Sequence, residues 1–385
     1  MNKSCAIFTN IAPLYSKLLW YELASSLNVD YYFYSSKKGF SGIETLDIHE
    51  SKFISAKGRL NWYFIKNLYI KNYLFYQTGV IMKCLRTDYD AYILSGEMYI
   101  ISNWIAAIIC KMRGKTLFFW GHGLYGNENR FKKIFRLLFY KIADYHLVYG
   151  NRSKKLLIES GFEPGNIFVV YNSLDFKLHR KLFNEKNVEE LLHLKVKLFP
   201  VNPELPVVMF IGRLTKEKKL DYLLNAVSLS KKKDCNYNCL IVGGGEEMDH
   251  LNKLSEALGI NESVCFFGPC YDEAVNARLI MLAECCVSPG NVGLTGIHSL
   301  SLGTPVITHN NLNNQMPEVE AVIEGKTGSY FIENNLEDLS GVINNMISKK
   351  MKSVMELHCV EHIAEFWNPV KQAAGFDDAV GKVLN

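Results

Sequence analysis

The sequence predicts an α/β protein made of two doubly wound halves, each a mostly parallel sheet covered by helices. Three observations carry this expectation. Short apolar runs alternate with longer amphipathic ones through the whole chain, the pattern of strands joined by crossover helices. The runs fall into two series, separated by a charged stretch that ends in Pro200, Pro203 and Pro206. Finally, 385 residues exceed what one hydrophobic core ordinarily supports.

The first series comprises residues 5–9, 31–34, 91–94, 116–120, 145–148 and 167–171. The second begins at Val207 and runs through 209–212, 239–243, 264–268, 285–289 and 305–308. These series set the expected boundaries: a first domain over 1–175, a connector over 176–206 with helical spacing at 188–198, and a second domain over 207–361. Residues 362–385 close the chain, with helical spacing after Pro369. Paired doubly wound halves imply a cleft at the carboxyl ends of their strands, where such folds bind ligands.

Composition narrows the class. Hydrophobic residues make up 48% and charged residues 21%, which argues for a globular protein and against disorder. The start, MNKSCAIFTNIAP, lacks the apolar core of a secretory signal. The longest apolar stretch, residues 98–110, contains Asn103 and falls short of the ~20 residues that span a bilayer, so a buried helix is expected there. Ten scattered cysteines suit a reducing, cytoplasmic location. They include no CxxC pair and no matching histidine spacing, so zinc is not expected.

Charge is unevenly spread. Residues 1–200 carry 28 Lys and Arg against 16 Asp and Glu, and the remainder carries 15 against 23. A basic first half suits an anionic partner. Within it, residues 130–141 read RFKKIFRLLFYK, a basic amphipathic helix of the kind that lies on anionic membrane surfaces. Residues 59–76 mix Trp62, Tyr63, Tyr69, Tyr73 and Phe75 with Lys66 and Lys71 in the same manner. The plainer reading makes most of these aromatics core and the lysines solvated, with a subset left for peripheral binding. Nucleic acid is not expected as a partner, because no recognised binding motif accompanies the charge.

Several motifs carry chemistry. Residues 212–221, GRLTKEKKLD, follow a strand and lead into a helix expected over 222–230. Arg213 and Lys218 there suit a diphosphate, although the loop by itself also reads as a solvated basic turn. Gly243, Gly244 and Gly245 follow the next strand as turn residues and do not make a GxGxxG motif. Gly293, Leu294 and Thr295 open a helix whose free amides suit an anion. The Asp88-Tyr89-Asp90 run has the form of a metal motif, but it directly precedes a buried strand and reads as a turn.

Taken in order, GRLTKEKKL, IVGGGEE, FFG, SPGNVGLTGIHSLSLGTPVI and PEVEAVIEGKTGSYF resemble the donor domain of the family 4 retaining glycosyltransferases of GT-B fold. The resemblance covers about residues 207–332. The first half resembles the family more weakly, through Trp120-Gly121-His122-Gly123 and Val170 to Asp175.

The resemblance implies that Arg213 and Lys218 hold the nucleotide diphosphate and stabilise the leaving group. It places the amides of Gly293, Leu294 and Thr295, with Gly212 and Asn291, around the donor, and Gly268, Pro269 and Cys270 along the base pocket. His122 would face the transferred sugar, against the bland reading of a structural histidine. The terminal helix would return to the first domain, and no essential metal or other cofactor is implied.

Two departures stand out. Where the family places two glutamates, this chain has Gly290 and His298. A histidine offers the ribose a weaker, tautomer-dependent bond than a carboxylate does, and glycine offers backbone alone. Glu318 and Glu320 are candidate substitute carboxylates.

The expected function is transfer of a sugar from a nucleotide diphosphate sugar to a glycan or lipid-linked hydroxyl. The expected location is cytoplasmic, with peripheral contact to the membrane. Loss of both glutamates raises a second reading, a non-catalytic GT-B subunit or sugar-nucleotide binding module. A GT-B nucleotide-sugar epimerase is a third.

Overall fold

The structure, a computed structural model, describes residues 2–37, 45–46, 54–55, 58–71 and 73–384. The chain divides into two units, residues 1–175 with 368–385 and residues 176–367.

The first unit holds a seven-stranded sheet made of β1 (Lys3–Ile11), β2 (Val29–Ser36), β3 (Trp62–Phe64), β4 (Ala91–Ser95), β5 (Thr116–Gly121), β6 (Tyr145–Val148) and β7 (Ile167–Val169). Its order is β7-β6-β5-β4-β1-β2-β3, and every neighbouring pair is parallel. Side chains alternate faces along a strand, so each strand serves two cores. Cys5, Ile7, Phe33, Ile93 and Phe118 pack under helices Lys17–Ala24 and Pro369–Leu384. Ala6, Phe8, Tyr92, Leu94 and Phe119 pack under helices that include Ile101–Met112 and Arg130–Tyr140.

Trp20 lies edge-on to Phe33, Trp62 and Trp120 at centroid distances of 5.7, 5.4 and 5.8 Å. Phe376, from the terminal helix, meets the Trp120 ring edge-on at 5.0 Å. Emptying such a buried aromatic position costs roughly 3–5 kcal/mol.

The second unit holds β8 (Val207–Ile211), β9 (Asn238–Val242), β10 (Val264–Gly268), β11 (Cys285–Ser288), β12 (Val306–His309) and β13 (Gly328–Phe331). All pair in parallel in the order β10-β9-β8-β11-β12-β13, the 3-2-1-4-5-6 arrangement of a doubly wound sheet.

Several expectations change. The stretch 176–206 is not a free connector, because its two helices, Phe176–Asn184 and Val188–Leu198, belong to the second unit and bury His179 and Leu191. A charged outer face had concealed these inward positions. Helix Met351–Phe366 runs through the boundary expected at 361, and the second unit ends at Trp367.

Helix Ile101–Met112 buries Ala106, Ala107 and Cys110 but exposes Ile105, Ile108 and Met112, as a helix laid on one sheet face must. Residues 59–76, of which Asn72 lies outside the described residues, form short strands, with 67–69 pairing antiparallel to 75–77. The strand expected over 167–171 stops at Val169, because Tyr171 takes a left-handed φ of 53°.

Candidate functional site

In the second sheet the crossovers leave β8 and β11 in opposite directions, which opens a crevice beyond the carboxyl ends of these neighbours. The loops that follow β8, β9 and β11 meet there. Gly212 donates its amide to Val242 O at 2.9 Å, and Leu214 donates to Gly244 O at 3.0 Å. The contact is backbone to backbone. A Cβ on Gly243 would overlap the Gly212 carbonyl oxygen, one on Gly245 would overlap that of Leu214, and Gly243 has a φ of 140°. Gly243 and Gly245 are therefore required by close packing of two loops, and Gly243 by its backbone conformation as well.

Lys218 and the loop after β11 are tied in both directions. The Lys218 ammonium donates to the backbone O and Oδ1 of Asn291 at 2.8 and 2.7 Å, while Gly290 donates its amide to Lys218 O at 3.0 Å. Burial depresses the Lys218 pKa to about 8, against the opposing charge of the buried Glu318. Glu318 thus reaches this site by acting on the lysine. Arg213 projects from the same loop into solvent.

Gly290 is buried, and a Cβ there would overlap the Glu217 carbonyl oxygen and stand 2.8 Å from the Lys218 Cα. The backbone packing leaves no room for a side chain at this position. On the far side of the loop, Gln315 accepts from Val292 N at 2.8 Å and donates to Thr308 Oγ1 and His309 O. Gln315 and Thr308 hold the loop from behind, a role sequence reasoning did not foresee, since neither residue belongs to a motif.

Helix Leu294–Ser301 starts after Gly293 and is pinned to β8 by Thr295 Oγ1, which donates to Ile211 O at 2.8 Å. Gly293, Leu294 and Thr295 are all partly accessible. The loop after β10 places Gly268, with a φ of 85°, beside exposed Pro269, whose ring is 3.6 Å from a Cβ built on Gly244. Cys270 follows, and its thiol faces Asp272 O at 3.7 Å.

His298 does not stand alone. Its Nε2 lies 2.6 Å from Glu273 Oε1, and the same oxygen lies 3.0 Å from Nε2 of buried His179. The two imidazoles stack at 5.0 Å. Neither partner was foreseen, because three distant stretches of chain supply the group.

His122 belongs to the first unit. It follows β5, its ring stacks on Tyr125 at 5.6 Å, and its carbonyl accepts from Ser153 Oγ at 2.7 Å. Gly123, with a φ of 70°, packs 3.1 Å from Ser153 Cβ through a built Cβ. Asp88 pairs with Lys115 at 2.6 Å, and Asp90 accepts from Ser4 N and Oγ at 2.8 Å. Both aspartates thus anchor the surface turn before β4.

On helix Arg130–Tyr140, Phe131, Ile134, Phe135 and Leu138 are 77, 46, 60 and 54% exposed, whereas Arg136 is buried against Glu128 at 2.8 Å. The expectation of core aromatics with an exposed subset divides evenly here: Phe139 and Tyr140 are core, while Phe131 and Phe135 belong to an exposed apolar stripe at helical spacing. Among the described residues, no helix is long and apolar enough to cross a membrane.

Residues 195–358 match the family model described as "Glycosyl transferases group 1". An uncharacterised glycosyltransferase of Haemophilus influenzae is 28% identical over 177 residues, covering 43% of this chain and 49% of its own length. The lipopolysaccharide 1,6-galactosyltransferase of Salmonella typhimurium is 23% identical over 251 residues, covering 63% of this chain and 62% of its own. Among solved structures, Anabaena HepE in complex with UDP superposes with a TM-score of 0.73 at 16% identity, over 99% of this chain and 100% of that one.

The first curated relatives are matched over about half their length. The fold is that of the GT-B glycosyltransferases, two Rossmann-like units with parallel sheets. Within it, the second unit carries the group 1 glycosyl transferase match.

Proposed function

We propose that this chain is a hexosyltransferase that moves a sugar, with retention and without a metal in the chemistry, from a nucleotide diphosphate sugar to a hydroxyl of a glycan or lipid-linked oligosaccharide. One observation carries the reading. Lys218, Gly212, Asn291 and the start of helix Leu294–Ser301 converge at the switch point between β8 and β11, where a doubly wound sheet binds its ligand.

The anchors act by charge and position. Lys218 is held by two oxygens of Asn291 and partly desolvated, so a diphosphate that displaces those contacts meets a preoriented cation. Exposed Arg213 adds a planar fork to the same group. Together with the amides at Gly293 to Thr295, they stabilise charge growing on the leaving phosphate. That phosphate then accepts the acceptor's proton on the same face, so no side-chain nucleophile is required. In this reading Gly268, Pro269 and Cys270 flank the base.

The exposed stripe of helix Arg130–Tyr140, beside Arg130, Lys132, Lys133 and Lys141, supports a site on an anionic membrane surface. This suits cytoplasmic work on a lipid-linked acceptor in cell-surface polysaccharide synthesis. Anabaena HepE is solved with UDP and with UDP-glucose, which makes UDP-sugars the first donors to try.

Buried Gly290 and engaged His298 favour a second reading, a sugar-nucleotide binding subunit without turnover. Incubating the full chain with a panel of nucleotide sugars and membrane lipid extract decides between them. New product mass with released nucleotide is expected, and nucleotide binding without turnover across the panel would favour the subunit.

A further inference from the structure

We propose that His179, Glu273 and His298 form a binding site for a divalent transition-metal ion of the zinc class, linking three helices of the second unit. The ligands come from helices Phe176–Asn184, Glu273–Leu282 and Leu294–Ser301. One ligand atom from each lies within 4.8 Å of the others. Two imidazole nitrogens and one carboxylate oxygen are a donor set for zinc and its neighbours, whereas magnesium and calcium prefer oxygen alone.

The second layer of contacts sets the ligand atoms. Ser301 Oγ lies 2.8 Å from His298 O and 2.7 Å from His179 Nδ1, and so holds the His179 ring from its Nδ1 side. With Nδ1 engaged, Nε2, turned toward Glu273, is the nitrogen left to bind. An orienting bond on the second ring nitrogen is the usual support of a metal-bound histidine.

Glu273 Oε1 faces both Nε2 atoms, so the three ligand atoms already converge on one point. A divalent ion there would meet one carboxylate and two imidazoles in the neutral form in which histidine binds a metal. Tetrahedral ligands on zinc stand about 3.4 Å apart. The carboxylate must back away from His298 and the imidazoles must close, side-chain movements of about an ångström. A fourth position remains for water at the partly exposed Glu273. The ion locks helix Leu294–Ser301, and the transfer chemistry does not run through it.

The test uses the full chain stripped with a chelator and titrated with Zn²⁺ alone, with Co²⁺ as the spectroscopic probe. One equivalent is expected to bind. The zinc-edge absorption spectrum should show two imidazoles and no sulfur. Glu273→Gln and His179→Gln, checked for folding by circular dichroism, should each abolish saturable binding, and Ser301→Ala should weaken it by roughly ten- to a hundredfold. Sulfur ligation, no saturable binding by the wild type, or binding unchanged in both ligand variants would each overturn the proposal.

Discussion

The Lys218 ammonium donates to both the backbone and the side-chain oxygen of Asn291, at 2.8 and 2.7 Å. A cation already placed needs little reorganisation when a diphosphate arrives. Lys218→Ala is expected to lower kcat/KM by a factor of a hundred or more, the scale of losing one preorganised charge contact. Arg213→Ala should cost less, because Arg213 is solvent-exposed. Initial rates over a donor concentration series measure both.

The Lys218 pKa, lowered to about 8 by burial, makes donor binding depend on pH. The lysine loses its proton as pH rises through 8, so affinity for the nucleotide diphosphate should fall above that point and approach a tenfold loss per unit. A bound diphosphate favours the charged form, so binding near pH 8 to 9 should take up protons. Calorimetry in buffers of different ionisation enthalpy reads this directly, and affinity that stays flat from pH 7 to 9.5 contradicts it.

Placing a carboxylate at Gly290 should harm the protein. A side chain there meets the Glu217 carbonyl and the Lys218 Cα, so Gly290→Glu must displace the loop that carries Lys218. A loss of about 3 kcal/mol or more is expected in urea unfolding, together with weaker donor binding. Unchanged stability would show that the loop yields easily.

Arg136 and Glu128 form an ion pair with both side chains almost fully buried. Arg136→Met strands a buried carboxylate and should cost about 3–5 kcal/mol, and adding Glu128→Gln should recover part of that loss. The double-mutant cycle, followed by thermal unfolding, isolates the pair.

Phe131→Ser with Phe135→Ser should reduce sedimentation with anionic vesicles at least tenfold while leaving transfer to a soluble acceptor intact. Added salt should weaken wild-type binding through the neighbouring lysines. Equal binding to neutral vesicles at any salt concentration contradicts the electrostatic part.

Most of both sheets was legible because buried parallel strands are short, apolar runs with little ambiguity, and β6 and β10 have the very bounds expected. Where the reading failed, the cause is spatial. Position 290 draws notice only through the resemblance to a family that has glutamate there, whereas the packed backbone shows why a side chain does not fit. His298 is visible as a departure, but Glu273 and His179 come from distant helices and have no signature of their own. The polar surface of 176–206 read as a linker because three inward residues, His179, Leu191 and Phe199, are too few to reveal a packed face. Phe131 and Phe135 failed in the opposite sense, since aromatic character alone does not say which side of a helix the core lies on.

Helix Pro369–Leu384 has one more consequence. Phe376, Ala379 and Val380 complete the core beneath β1 and β2, so the unit begun by the earliest residues is finished by some of the latest. During synthesis the earlier sheet therefore waits with one face uncovered until nearly the last residues of the chain are released. The sheet that is begun first is among the last parts of the molecule to be closed.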